Sequence, residues 1–305
     1  MPPELTDLTE QITLTPYQAI GIPIALIGAV FLSLGAQLQH RGVARVELSH
    51  GDGTKAGLSM RQLLHLAARP SWLFGTVLLG LAILFQLTSL GFAPLIVVQP
   101  LGVVALVITA IVNARVSRIR LERPAIRAIV MCVGGVGVFV AIAAVYAIEQ
   151  EISERQLLIV LGILGVTLAA FGVAFALARR SVGAMFYILG AGVLFGFVAT
   201  LAKVVINRIL NGNFEWLTVL AIVALLASAA LGSYFVQTAY SVGSPDLVIA
   251  GLTVVDPLVA VLIGVIVLGE AALIPPLFAV VAVAAGALAV FGVIQLAKHH
   301  PQTHR

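Results

Sequence analysis

The stretch GLTVVDPLVAVLIGVIVLGE, residues Gly251 to Glu270, places a carboxylate and a proline inside an apolar run long enough to cross a membrane. Asp256 is expected near the middle of the bilayer, where insertion of a charged side chain costs about 2.5–3.5 kcal/mol. Pro257 cannot donate a helix hydrogen bond, and its ring crowds the carbonyl one turn back. Irregular backbone at that depth is tolerated only where it is buried in protein or lines a wet cavity. The stretch therefore predicts a membrane helix with a functional acid and a hinge.

The rest of the sequence also has the composition of a polytopic membrane protein. Of its 305 residues, 61% are hydrophobic and 10% are charged, and the mean hydropathy is +1.12. We predict an all-α bundle in one transmembrane domain, 19–296, between a short N-terminal segment, 1–18, and a tail, 297–305. The longest predicted connection is 41–70. Nine runs have the length that a membrane helix needs: 19–39, 72–90, 94–112, 126–147, 156–178, 184–206, 216–240, 246–268 and 273–296.

The distribution of charge predicts the orientation of these nine spans. Most of the 17 Lys and Arg residues fall on one membrane side, while the acidic N-terminus and the cluster Glu149, Glu151 and Glu154 fall on the other. The positive-inside rule then places the N-terminus outside and the C-terminus in the cytoplasm. We expect a bacterial-type inner membrane and no cleaved leader, since no basic residue precedes Arg41. The net charge of +4 is explained by topology, so no nucleic-acid partner is expected.

Internal repeats indicate the architecture. Span three reads VVQPLGVVALVITAIVN and span eight reads VVDPLVAVLIGVIVLGE, which sets Gln99 and Pro100 opposite Asp256 and Pro257. The segment GAVFLSLGAQLQ of span one likewise matches GVLFGFVATLAK of span six. Spans one to four (19–147) therefore repeat as spans six to nine (184–296), with 156–178 as a linking helix. An odd number of crossings separates matched spans, which predicts inverted repeats, the signature of a secondary transporter.

Two segments resemble the drug/metabolite transporter superfamily, also called EamA-like. They are the ending DPLVAVLIGVIVLGEAALIPPLFAVVAVAAGALAVFG and the earlier stretch GFAPLIVVQPLGVVALVITAIV, which resembles the magnesium-transporter-like NIPA branch. The resemblance covers 19–296. It implies a bundle of two inverted repeats with alternating access for a small solute or, for the NIPA branch, passage of Mg²⁺.

Asp256 and Lys203 are the two charged candidates within spans. Asp256 could take up and release a proton during transport or hold a cation when ionised; the alternative is a static buried acid that bonds a neighbouring helix. Lys203 lies about nine residues closer to the outside than Asp256, which is roughly 13 Å at 1.5 Å per residue. We therefore expect Lys203 to snorkel to the outer interface. A salt bridge, or a contact with a substrate anion, is the alternative.

Uncharged polar residues of the spans are candidates for a solute pathway. They could line one cavity, or they could be interhelical hydrogen bonds that hold the bundle together, each worth about 0.6 kcal/mol on average. Glu270, at the outer end of span eight, is a turn cap or an outer gate. Pro100 and Pro257 are predicted to be paired hinges. The candidate glutamines are Gln37, Gln86, Gln99 and Gln237.

These observations favour a secondary transporter for a small organic solute, with Asp256 as the coupling or binding acid. An Mg²⁺ transporter is the main alternative; in that case Asp256 binds the hydrated ion, and no firm metal site is otherwise predicted. A lipid-modifying enzyme is less favoured, because the loops offer no clustered catalytic groups. A non-transporting scaffold is less favoured, because polar breaks occur at matching places in both repeats. No cofactor is expected. Small residues, including Gly192 and Gly196 and those of spans four and nine, predict close helix packing within the chain or in a homodimer.

Overall fold

The computed structural model describes residues 16–50, 70–116, 122–149, 151–178, 183–242 and 245–298. This part of the chain is built of helices that run back and forth across the bundle. The helices are α1 Pro16–His50, α2 Pro70–Phe92, α3 Leu95–Leu101, α4 Val103–Val116, α5 Arg123–Tyr146, α6 Glu154–Ala178, α7 Ala184–Leu210, α8 Trp216–Val242, α9 Pro245–Ile266 and α10 Pro276–Lys298.

The described residues contain nine helices long and apolar enough to cross a membrane, which confirms the predicted all-α membrane bundle. Each predicted run overlaps one of these spans, and α3 and α4 together form the third. The predicted connection from residue 41 is wrong at its start, because α1 continues to His50. The apolar run ends earlier, but the helix continues through the more polar stretch HRGVARVELSH up to the residue before Gly51. Residues 51–69 of that connection lie outside the described part of the chain.

The start of α6 shows how a local pattern sets a helix boundary. The backbone N–H of Gln156 donates to Ser153 Oγ at 3.3 Å, and the N–H of Ser153 donates to Gln156 Oε1 at 2.9 Å. This reciprocal pair is a capping box, which satisfies two donors at the helix start. The helix therefore begins at Glu154, two residues before the predicted run 156–178. Gln156 Nε2 also donates to the carbonyls of Val267 and Leu268, at 3.1 and 3.4 Å, so α6 is fastened to the end of α9.

Helix α7 occupies the centre of the bundle and is the most deeply buried span. It packs chiefly on α8 and α9, while α1 packs on α2 and α5 packs on α10. The α1–α2 and α7–α8 pairs are matching parts of the two predicted repeats. The inverted relation between the repeats stays a prediction.

Glycines on α7 bring α9 close to it. A Cβ on Gly192 would lie 2.6 Å from Val255 Cβ, and a Cβ on Gly196 would lie 2.7 Å from Val259 Cβ. Only glycine fits at such distances, so these residues press the segment around Asp256 against α7. The predicted packing role of this glycine pair is therefore met within the chain.

Glycines also bring α5 and α10 together. A Cβ on Gly135 of α5 would lie 2.6 Å from the carbonyl oxygen of Ala285, and a Cβ on Gly292 of α10 would lie 2.6 Å from the backbone nitrogen of Cys132. Small residues of the fourth and ninth spans thus serve packing within one chain. The homodimer stays a prediction.

Candidate functional site

A cavity of about 440 Å³ lies between α1, α2, the α3–α4 junction, α7 and α9, and we call it the central cavity. Most of its wall is apolar, with side chains such as Leu32, Leu87, Val103 and Phe195. A mostly apolar wall with a few convergent polar groups is the usual form of a small-molecule site. The polar side chains in the wall are those of Gln86, Gln99, Thr253 and Asp256.

Asp256 is the charged group of this cavity. Its Oδ1 atom is fully buried and accepts no hydrogen bond from the described residues. A buried carboxylate oxygen without a donor is costly, and natural proteins rarely leave one so without a reason. The atom is therefore available to a proton, a cation or a hydrogen-bond donor that enters the cavity.

Gln99 lines the same cavity as Asp256 and lies beside a local break in the third span. It lies on α3, is 6% exposed, and lines the cavity with Gly102. The helix breaks at Gly102, whose N–H donates to the carbonyl of Gln99 at 3.2 Å. Pro100 lies two residues before this break. A proline favours such a break because it removes one helix hydrogen bond and crowds the turn before it. Helix α9, in contrast, is continuous across Pro257. The paired-hinge role of the two prolines stays a prediction.

The structure brings together some of the glutamines selected from the sequence and not others. Gln86 and Gln99 line the central cavity with Asp256. Gln37 is half-buried and Gln237 is exposed, and neither is among the lining residues of this cavity. The polar face of the cavity is thus formed by α2, α3 and α9.

Lys203 does not snorkel to the interface, so that prediction is wrong. Its side chain is 3% exposed, and Nζ donates to the carbonyls of Leu90 and Ala93 at 2.7 and 3.0 Å. It also forms an ion pair with Glu149. The end of α2 leaves backbone carbonyls without helical partners, and these solvate the ammonium group inside the protein. Among the described residues, the carboxylate that pairs with Lys203 is that of Glu149 rather than Asp256.

Glu270 is a cap, but for a different helix from the one that precedes it. It is 4% exposed, and its Oε1 and Oε2 accept the backbone N–H groups of Leu95 and Ile96 at 2.8 and 2.7 Å. These are two of the N–H groups that the start of α3 leaves without helical partners. Burial raises the pKa of the Glu270 carboxyl, while the two N–H groups and the positive charge of Lys203 act in the opposite direction.

A second cavity of about 280 Å³ lies beside Lys203 and Glu149, and we call it the vestibule. In the sequence, Glu149 indicates only the topology, and no local pattern distinguishes Asn207. Asn207 Oδ1 accepts the N–H of Ile152 at 3.1 Å, so it fastens the start of α6 to α7. The pairing partners of these residues are distant in sequence, so no local pattern could reveal them. The vestibule is lined by Leu90, Gly91, Glu149, Glu151, Lys203, Ile206, Asn207, Leu210 and Asn211.

The described residues contain no group of three or more His, Cys, Asp or Glu side chains that could hold a metal ion. In the central cavity, a cation would meet the Asp256 carboxylate together with the amide oxygens of Gln86 and Gln99. Carboxylate and amide oxygens are ligands for hard cations such as Mg²⁺, which usually keeps several waters.

Comparison with known proteins shows what the chain is similar to. Residues 17–164 match the family model of the magnesium transporter NIPA. An uncharacterized protein of Corynebacterium glutamicum is 28% identical over 256 residues, which cover 82% of this chain and 85% of the relative. No solved structure matches the chain. The family match confirms the predicted resemblance to the drug/metabolite transporter superfamily and to its NIPA branch.

Proposed function

We propose that this chain, a membrane transporter whose first half matches the NIPA family of the drug/metabolite transporter superfamily, is a secondary carrier. It moves a small organic solute by alternating access and couples that movement to protons through Asp256. The central cavity is the binding site in this proposal. Its apolar wall accommodates the body of the solute, and Gln86, Gln99 and Asp256 bind the solute's polar groups.

One observation carries the proposal: the buried Oδ1 atom of Asp256 has no hydrogen-bond partner among the described residues. A carboxylate kept only for structure is expected to have donors around it, as Glu270 does. A carboxylate without donors can exchange ligands. A proton and a positively polarised group of the solute compete for the same oxygen, so the carboxyl releases one as it binds the other. Such competition is sufficient to couple two fluxes.

The proposal is tested with purified protein in liposomes that contain a pH dye and an Mg²⁺ dye. A panel of small organic solutes and then MgCl₂ are added in turn, and the dyes report proton-coupled flux and Mg²⁺ flux. Asp256→Asn keeps the size of the side chain but cannot ionise, so it is expected to abolish proton-coupled flux. Glu151→Gln is the matched control, because Glu151 lines the vestibule rather than the central cavity. Normal proton-coupled flux through the Asp256→Asn protein contradicts the role of Asp256.

Transport of Mg²⁺ is the second candidate function, and the match of residues 17–164 to the NIPA family favours it. In this case Asp256 binds a hydrated ion, and the amide oxygens of Gln86 and Gln99 accept hydrogen bonds from its water shell. The same liposomes separate the two candidates. A signal from the Mg²⁺ dye that is lost in Asp256→Asn supports the cation, whereas proton flux that depends on an organic solute supports the carrier.

For localisation, we propose a bacterial inner membrane with the N-terminus outside and the C-terminus in the cytoplasm. The support is the excess of Lys and Arg on one predicted side of the spans. A reporter fused to the C-terminus is expected to be active in the cytoplasm. External activity of that reporter contradicts the proposed orientation.

A further inference from the structure

The central cavity and the vestibule are two separate spaces that share one wall residue, Leu90. Leu90 is 1% exposed and lies near the end of α2. The vestibule lies on the bundle face that carries Glu149 and Glu151, which we call the Glu149 face. A solute that passes between the central cavity and this face must therefore displace the end of α2.

Lys203 holds the end of α2 in place. An ammonium group has three N–H donors, and here they have three acceptors: the carbonyls of Leu90 and Ala93 and the carboxylate of Glu149. Leu90 lies in the last turn of α2, Ala93 directly follows that helix, and Glu149 follows α5. One buried side chain of α7 thus ties α2 and the segment after α5 together over the cavity.

Glu270 holds the next segment, the start of α3. Its carboxylate binds the N–H groups of Leu95 and Ile96, and its backbone carbonyl accepts the N–H of Ile148 at 3.0 Å. The carboxylate fits there because position 264 is glycine, where a Cβ would lie 2.8 Å from Glu270 Oε2. The turn after α9 is therefore bonded both to α3 and to the segment that carries Glu149.

We infer that Lys203, Glu149 and Glu270 form a gate that closes the central cavity toward the Glu149 face. This inference rests on the proposed alternating access, and it describes the present conformation as closed at that face. These residues position backbone rather than bind solute. Opening requires that α2 and α3 separate from α7 and from the turn after α9, so it breaks the contacts of Lys203 and Glu270 together.

The gate is tested by the accessibility of a reporter thiol rather than by transport. The chain has one cysteine, Cys132, and it is buried. Ala199→Cys in a Cys132→Ser background places a thiol on the wall of the central cavity. A membrane-impermeant maleimide is applied to intact cells and to inverted vesicles, which expose opposite faces. We expect slow labelling from the Glu149 face, and about tenfold faster labelling when Glu149→Gln removes the ion pair, since a bond to a charged group has about that effect on an equilibrium.

Glu151→Gln is the matched control, because it removes the same charge from the same vestibule but leaves the Lys203 ion pair intact. Its labelling rate is expected to stay within about twofold of the parent, the size of effect typical of a surface charge. Equal labelling rates in the Glu149→Gln and Glu151→Gln proteins overturn the gate. This result is independent of solute flux, so the gate and the proposed function fail in different experiments.

A disulfide across the vestibule is a control that distinguishes opening of the gate from misfolding of the Glu149→Gln protein. A Cβ on Gly91 would lie 3.5 Å from Ile206 Cγ2, so the two positions are in contact beside the vestibule and are chosen for a pair of cysteines. In the Glu149→Gln reporter protein, Gly91→Cys with Ile206→Cys is expected to return labelling to the slow rate after oxidation and to restore fast labelling after reduction. Fast labelling of the fully oxidised protein overturns the gate.

Discussion

The central cavity and the gate each contain a buried carboxylate oxygen, but the two environments differ. In the gate, both oxygens of Glu270 accept backbone N–H groups. In the central cavity, Oδ1 of Asp256 has no donor among the described residues. Both acids lie in apolar sequence, so hydropathy treats them alike. The donors around each oxygen distinguish an acid that stabilises the fold from an acid that remains available to a ligand.

The largest expected effect on stability is that of Glu270→Ala. The change leaves the buried N–H groups of Leu95 and Ile96 without their acceptor, at a cost of about 3 kcal/mol. The thermal unfolding midpoint in detergent, followed by fluorescence, measures this loss. Glu151→Ala, an exposed carboxylate in the vestibule, is the control and should leave the midpoint unchanged. Equal midpoints for the two variants would mean that the Glu270 cap contributes nothing.

Lys203→Met ranks second. Methionine fills a similar volume and removes the three bonds of the ammonium group. Because the Glu149 side chain is one-third exposed, water can replace part of what that carboxylate loses. We expect a loss of about 1–2 kcal/mol in the same unfolding assay. A midpoint equal to that of the parent contradicts a stabilising role for this group.

Gly196→Ala tests the wall of the central cavity. The added Cβ would lie 2.7 Å from Val259 Cβ, so α9 and Asp256 must move away from α7. Overpacking costs about 1–3 kcal/mol, and we expect the lower end of that range, about 1 kcal/mol, for a single added methyl group. Gly172→Ala on α6 is the matched control, because nothing lies within 4 Å of its Cβ, and the loss of glycine from a helix stabilises by about 0.5–1 kcal/mol. The two midpoints should therefore shift in opposite directions, and shifts of the same sign contradict the close packing.

Asp256→Asn should have the smallest effect on stability, within about 0.5 kcal/mol of zero. The Oδ1 atom accepts no hydrogen bond from the described residues, so the change removes none from it. The difference between the cavity and the gate is therefore measured most directly by the unfolding midpoints of Asp256→Asn and Glu270→Ala. A midpoint that falls as far as in Glu270→Ala indicates that Asp256 is a structural acid.

The dependence of the unfolding midpoint on pH isolates the contribution of the Glu270 carboxyl group to stability. Burial raises its pKa in the folded protein, so its contribution to stability is fully present below the unfolded pKa and decreases as the pH rises through the folded pKa. Glu270→Gln removes this titration. The midpoint of the parent relative to that of Glu270→Gln should therefore increase as the pH is lowered toward 5, and an unchanged difference contradicts the assigned pKa direction.

The sequence was sufficient for features that depend on local patterns. Runs of apolar residues predicted the nine spans because hydrocarbon requires that length, and the run 156–178 predicted α6 to within two residues of its start at Glu154. The prediction for Lys203 was wrong because its acceptors are on α2 and after α5. Depth along one helix contains no information about these partners. The cap formed by Glu270 likewise joins residues that only the packed bundle brings together.

The side chain of Gln156 has consequences for the order in which the protein assembles. Its capping bonds with Ser153 join residues three apart, so they can form as soon as that turn leaves the ribosome. Its bonds to Val267 and Leu268 span 111 and 112 residues, and they must wait until α9 has been synthesised and inserted. During biogenesis the same amide group therefore marks an early event, the start of α6, and a late one, the packing of the end of α9 against this linking helix.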